Sequence, residues 1–260
     1  MILYKYVGYD AGIKILENNT VGFRQPFLFN DPFELLASYP DPQSNPFGEI
    51  RNWAKRGMWA ENYGVLSLTR SPLNPLMWAH YANEHKGFVI GIDVGIEILT
   101  SEEKNLIPVQ FGNVIYTGSK PTYEFLSKFG EPISVSSTYH FVPSQFEKLQ
   151  RVFLYKPMCW SYEEEVRIVK CINGVKEGKL VISGEFEVIQ VNGSDLFVLK
   201  LPEGTIKEIY VGIRNSVVKD QECEKQFLEV ITDEHPDAKM FACFTGSESW
   251  SVNFKLMENA

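Results

Sequence analysis

The heptapeptide Gly87-Phe88-Val89-Ile90-Gly91-Ile92-Asp93 limits the architecture of this chain more than any other stretch. Its apolar residues run on without alternation, so a strand here must be covered on both faces. Such a strand lies inside a sheet and not at its edge. Other strand signals surround it. Ile2 to Val7 opens the chain as a strand, Thr20 to Phe23 reads as a second, and Gly64 to Thr69 as a third. On that third strand Leu66 and Leu68 face one way, while Val65, Ser67 and Thr69 face the other. Residues 106–116, Ile206 to Ile213 and 241–244 continue the series, and Gly174, Gly178, Gly184, Gly193 and Gly204 punctuate short strands up to residue 199.

The helix signals are fewer. Asp10 is placed to cap a short helix carrying Ile13 and Leu16 and ending near Asn18 and Asn19. Residues 47–61 put Phe47, Ile50, Ala54 and Met58 on one stripe. Asn74 followed by Pro75 is a strong start signal, and Met77, Trp78, Tyr81 and Ala82 form the buried stripe that follows. His80 stands at the edge of that stripe with Glu84 one turn on as its partner. Residues 120–156 read as mostly helical, broken near Pro132 and Pro143, and 217–231 as an amphipathic helix. Strands and helices mix without regular βαβ alternation. The pattern predicts one α+β domain over residues 1–260, built on a bent, mostly antiparallel sheet with flanking helices.

Charge and cysteine usage narrow the function. The 260 residues carry 33 acidic and 25 basic side chains, net −8, which argues against passive wrapping of nucleic acid. No apolar run reaches the roughly 18 residues of a membrane span. The first residues read as a strand and not as a signal peptide. Cys159, Cys171, Cys223 and Cys243 show neither CxxC spacing nor histidine pairing, so reduced thiols and a cytoplasmic location are expected.

The chemistry concentrates in Trp160-Ser161-Tyr162-Glu163-Glu164-Glu165-Val166-Arg167-Ile168-Val169. Read as a strand over 162–170, it points Val166 and Ile168 into the core and turns Glu163, Glu165 and Arg167 outward together. Two carboxylates that close repel, and one pKa rises unless a cation sits between them. This is either a solvated strand face with Arg167 as counter-ion or a catalytic carboxylate with a helper two residues upstream. A rigid loop with Asn30-Asp31-Pro32 at its turn is expected beside the same cleft, with Asn30 and Asp31 buried and bonded to backbone amides.

Four segments together resemble the domain of unknown function 2971, a bacterial family. They are Leu3-Tyr4-Lys5-Tyr6, Phe29-Asn30-Asp31-Pro32-Phe33-Glu34, Leu66-Ser67-Leu68-Thr69 with Leu76-Met77-Trp78-Ala79-His80-Tyr81, and Trp160 to Arg167. More distantly, the layout is similar to the ADP-ribosyltransferase fold and its split sheet. In that superfamily the first strand supplies an arginine or histidine, a later strand a serine, and a late strand a catalytic glutamate, often with a glutamate or glutamine two positions before it. The resemblance implies that Glu165 is the catalytic carboxylate and Glu163 the helper. It implies that Lys5, between Tyr4 and Tyr6, holds a phosphate or ribose hydroxyl of NAD, and that Ser67 and Thr69 line the nicotinamide side. His80 and Tyr81 would stack on or bond to the ligand. Lysine departs from the family pattern, because it cannot bond bidentately as arginine does.

Two other readings remain open from the residues. In a non-catalytic nucleotide- or protein-binding module, Lys5, Glu163 and Glu165 form a structural salt-bridge cluster. In a metal-dependent nuclease, Glu165-Val166-Arg167 stands in for an E-x-K strand, with Asp93 as a further ligand. The transferase reading needs no metal, and it predicts that Lys5, Ser67 and Glu165 converge on one cleft, with Lys5 and Glu165 on the same face of the sheet and within about 15 Å.

Overall fold

The computed structural model describes residues 1–31, 33, 57, 60–119 and 152–257. Twelve strands among them are β1 (Ile2–Val7), β2 (Thr20–Phe23), β3 (Tyr63–Thr69), β4 (Phe88–Asp93), β5 (Ile115–Thr117), β6 (Tyr155–Pro157), β7 (Glu165–Cys171), β8 (Phe186–Val191), β9 (Ser194–Lys200), β10 (Ile206–Val211), β11 (Lys239–Thr245) and β12 (Val252–Leu256). The helices are α1 (Tyr9–Asn18), α2 (Pro75–Tyr81), α3 (Glu97–Thr100) and α4 (Gln221–Glu234). The loop at 39–46 and most of the expected helical stretches at 47–61 and 120–156 lie outside the described residues; residues 57, 60 and 61 are helical, as expected.

A seven-stranded sheet runs in the order β12-β11-β10-β4-β1-β3-β7. Its neighbours are antiparallel except β10 and β11. That parallel pair is joined through α4, as a crossover connection requires. β4 is the fourth strand of seven, with Phe88, Val89, Ile90 and Ile92 at 0% exposure, so the unbroken apolar run marks the centre of the sheet. α1 and α4 cover one face: Phe227 of α4 stacks on Phe88 at 5.4 Å, and Leu16, Ile209 and Ile231 join the same core. α2 covers the other face at Tyr6, Val89 and Tyr210 through Met77 and Trp78. A three-stranded sheet, β2-β9-β8, adds Val21, Phe23, Phe197 and Leu199 to the main core. Its β8–β9 hairpin turns on Asn192 (φ 53°) and Gly193 (φ 75°), the positive-φ pair that a tight hairpin needs.

Several sequence expectations need correction. α1 is capped at Gly8 without a side-chain bond, and Asp10 lies inside the first turn. Asn19 ends the helix in the left-handed conformation (φ 49°). Residues 106–116 are not one strand: a 3-10 turn over Val109–Phe111 intervenes before β5. The acidic strand begins at Glu165, three residues later than its pattern suggested, because Met158–Glu163 forms a 3-10 turn and Glu164 is left-handed (φ 45°). α4 starts at Gln221, where Asp220 caps it by accepting from the Glu222 and Cys223 amides. β12 carried no signal recognised in the sequence. Glu84 is no helical partner of His80, since α2 ends at Tyr81 and Asn83, Glu84 and His85 all take positive φ. Glu84 pairs with Lys86 instead.

Candidate functional site

β1 and β3 are neighbours in one sheet but part on either side of a single register point among the described residues. Among the described residues these strands pair at Tyr4↔Thr69, and further along β3 bridges to Arg24 of the smaller sheet at Val65. Between those two points Lys5 Nζ donates to the Ser67 carbonyl at 3.0 Å. The split opens into a cavity of about 610 Å³. Lys5, Ser67, Thr69, Glu163, Glu165 and Arg167 all line it.

The strand registers show how they reach it. Tyr4, Thr69 and Glu165 are in register across β1, β3 and β7, and so are Ser67 and Arg167 across β3 and β7. Residues directly opposite one another share a face. Lys5 has the parity of Leu3 and Val7, which enter the main core. The Lys5 side chain therefore leaves from the other face of the sheet, contrary to the shared face expected with Glu165, and reaches the cavity where the strands part.

Buried charges form a chain along one wall. Tyr81 Oη donates to Glu163 Oε1 at 2.5 Å, and Lys156 Nζ donates to Glu163 Oε2. Lys156 Nζ also donates to Glu165 Oε2 at 3.1 Å. Arg167 grips Glu165 with two prongs, Nε to Oε1 at 2.8 Å and Nη2 to Oε2 at 3.0 Å, and its Nη1 donates to the Phe153 carbonyl at 2.7 Å. The Ser67 hydroxyl lies beside the same carboxylate and helps to keep it charged. Exposures of 3% for Glu163, 7% for Glu165 and 1% for Arg167 overturn the solvated strand face. Val166 and Ile168 do enter the core.

Local backbone builds this wall. The Glu165 amide donates to the Tyr116 hydroxyl at 2.9 Å, and the Arg167 amide to the Gly112 carbonyl at 2.8 Å. A Cβ at Gly112 would lie 1.9 Å from the Arg167 carbonyl oxygen, so only glycine lets that segment run against β7. On the opposite wall Asn74 Oδ1 caps α2 by accepting from the Leu76 and Met77 amides, and its Nδ2 donates to the Tyr162 carbonyl at 2.7 Å.

Burial and pairing move the titrations apart. Burial pushes the Glu165 carboxyl up, but Arg167 and then Lys156 outweigh it and hold it at about 2. Burial raises Glu163; Lys156 opposes that shift and Glu165 adds to it. Burial lowers Lys5 to about 8, with Glu165 acting against the shift. Burial also raises the Tyr81 hydroxyl, helped by Glu163.

The remaining expected residues divide. His80 and Tyr81 line the cavity, with His80 exposed and its ring 6.4 Å from that of Tyr162. The Tyr4 ring lines it too, but its hydroxyl is committed to Glu208 Oε2 at 2.9 Å. Tyr6 Oη donates to the Ser71 carbonyl at 2.9 Å and accepts the Asn74 amide at 3.1 Å, which ties it to the packing under α2. Asn30 lines the cavity but is exposed, contrary to expectation, and its Nδ2 donates to Tyr81 Oη at 3.4 Å. Asp31 is buried and accepts the Phe33 amide at 2.9 Å, but it does not line the cavity. Sequence reasoning missed Lys156 and Arg24. The adjacent carboxylates had called for a cation between them, yet Lys156 was hidden in a stretch read as helix.

Among the described residues, no three His, Cys, Asp or Glu side chains are grouped to hold a metal ion. Asp93 accepts the Gly95 amide at 3.0 Å and lies outside the cavity.

Residues 77–168 match the family model described as "Protein of unknown function (DUF2971)". This supports the resemblance to that family, and the matched span carries Tyr81, Lys156, Glu163, Glu165 and Arg167. No curated protein and no solved structure matches the chain. None of these results supports the resemblance to ADP-ribosyltransferases. No helix among the described residues is long and apolar enough to cross a membrane.

Proposed function

We propose that the split-sheet cleft binds a nucleotide and works as an ADP-ribosyltransferase-like site, with NAD as the substrate. The observation that carries this reading is that Lys5, Ser67 and a buried, ionised Glu165 line one cavity of about 610 Å³. That volume falls in the usual range for small-molecule sites, roughly 300–1,000 Å³. Lys5 and Arg24 supply positive charge for a pyrophosphate, and Tyr4 and Tyr81 supply ring faces for a base or a nicotinamide.

The reaction breaks the bond from the ribose C1′ to the nicotinamide nitrogen. The bonding electron pair leaves with neutral nicotinamide, and C1′ gains oxocarbenium character. Glu165 is charged throughout the neutral range and would stabilise that centre, oriented by the Ser67 hydroxyl and Arg167. Glu163, raised by burial, is suited to take the proton from an acceptor as the acceptor's bond to C1′ forms. Lys156 would keep the two carboxylates apart in role as well as in charge.

The two-pronged contact of Arg167 on Glu165 favours a second reading, in which the same cleft binds a nucleotide without cleaving it. One experiment separates them. Purified protein is titrated with NAD by calorimetry, then incubated with NAD while free nicotinamide is followed. Binding with nicotinamide release that falls in Glu165→Gln supports the transferase. Binding without release supports the binding module, and no binding rejects both.

A further inference from the structure

Glu163 is held back from the cleft it would serve. It is 3% exposed, and both of its oxygens already accept hydrogen bonds. Tyr81 Oη donates to Oε1 at 2.5 Å, and Lys156 Nζ donates to Oε2. Proton transfer needs hydrogen-bond contact, direct or through one bridging group. A carboxylate placed this way reaches the proton of an attacking group through a bridge.

Tyr81 stands in the bridging place. It is the last residue of α2, half-buried, and it lines the cavity of about 610 Å³. Its hydrogen is committed to Glu163, so its oxygen is left as an acceptor. That oxygen is approached from the open side: Asn30, exposed and also lining the cavity, places Nδ2 3.4 Å from it. A bond that long is weak, and a donor on an occupant displaces it at little cost. Burial, reinforced by Glu163, raises the Tyr81 hydroxyl above the ordinary phenol range, so Tyr81 keeps a proton at neutral pH and is no base by itself. The carboxylate behind it supplies the basicity, and Lys156 fixes that carboxylate in place.

We propose that Tyr81 is a catalytic residue that relays the proton of the attacking group to Glu163. This rests on the transferase reading of the cleft. The attacking group, water in the simplest case, loses a proton to Tyr81 Oη while the Tyr81 proton moves to Glu163 Oε1. The electron pair freed on the attacking oxygen forms the bond to C1′, and the pair of the broken C1′–nitrogen bond leaves with nicotinamide. Tyr81 ends as it began, and Glu163 ends neutral.

The test uses the purified full chain with NAD. Nicotinamide release is followed for wild type, Tyr81→Phe, Glu163→Gln and the double variant, and NAD affinity is measured by calorimetry. Phenylalanine keeps the ring and removes only the hydroxyl. Each single variant should release nicotinamide about a hundredfold more slowly, with NAD affinity unchanged. The double variant should be no slower than the slower single, because two members of one relay fail together. Wild-type rates in mixtures of H2O and D2O should curve with the deuterium fraction, as two protons moving in one step require, and Glu163→Gln should lose that curvature. Equal release by wild type and Tyr81→Phe overturns the relay and leaves the transferase reading standing. So do losses that multiply in the double variant, or a linear wild-type solvent dependence. Should Tyr81→Phe fail to fold, Glu163→Gln keeps an oxygen for the Tyr81 bond, and undiminished release by that variant overturns the relay in the same way. NAD binding without release by wild type rejects the transferase reading and the relay with it.

Discussion

Lys5 Nζ sits 3.0 Å from the Ser67 carbonyl oxygen, and that bond spans the point where β1 and β3 part. A lysine that reaches across a gap in a sheet is largely cut off from water, and burial lowers its pKa to about 8. The charge of the cleft therefore changes just above neutral pH.

The first prediction concerns ligand binding. The Lys5 ammonium is charged below about 8 and neutral above it. NAD affinity should fall by about tenfold between pH 7 and pH 9, as the protonated fraction drops. Lys5→Arg should flatten that profile, because arginine stays charged. Calorimetric titrations at three pH values decide it, and a flat wild-type profile would mean that Lys5 does not hold the anion. Folding stability has the opposite slope. The folded pKa lies below the ordinary lysine value of 10.5, so this group's contribution to stability rises with pH between about 8 and 10.5.

Glu165 governs acid stability. Its folded pKa of about 2 lies below the ordinary glutamate value of 4.5. The stabilisation is present above 4.5 and is lost as pH falls toward 2, with about 3 kcal/mol at stake. Glu163 has the opposite sign, since its pKa is raised. Glu165→Gln should therefore cost about 3–5 kcal/mol at neutral pH, because it leaves buried Arg167 and Lys156 short of a counter-charge. Nicotinamide release, if the folded variant is assayed at low temperature, should drop by about 10²–10³. Denaturant titrations at pH 3 and pH 7 on both proteins measure the first effect.

Asn74 couples two elements. Asn74→Ala removes the cap of α2 and the bond to the Tyr162 carbonyl together. The cap alone is worth about 1 kcal/mol, and the second bond should bring the loss to about 2 kcal/mol. Asn74→Ser keeps a capping oxygen and should recover about half, read as the change in Tm.

The turn at residue 31 gives a contrast. Asn30→Ala should leave stability within about 0.5 kcal/mol, since the side chain is exposed. Asp31→Ala removes the acceptor of the Phe33 amide and should cost about 1–2 kcal/mol. Equal losses from both would refute this account of the turn.

Strands were read correctly wherever a local pattern sufficed. The unbroken apolar run of β4 is a fact of burial, and burial follows from composition along the strand. The start signal Asn74-Pro75 was read correctly for the same local reason. The acidic segment was misread at its start because Glu164 takes a left-handed turn that no residue type demands. That turn removes Glu163 from the strand while still burying it. Lys156 was invisible for another reason: its value lies in contacts with Glu163 and Glu165, and its own neighbours in sequence give no hint of them. Asn30 and Asp31 share one turn signal, yet only Asp31 is buried, since the signal fixes backbone shape and not depth.

The pairing of Tyr4 with Thr69 has a mechanical meaning. Among the described residues it is the one register point that holds β1 to β3, so the seven-stranded sheet resembles a plate with a slit. A slit plate yields along the slit before either half deforms. Lys5 is mounted on one half, and Glu165 with Arg167 on the other. Bending along that line changes the spacing of opposite charges and leaves the packing of each half intact. A ligand that touches both halves would act as a staple, and the stiffness of the whole sheet would become a property of the occupied cleft.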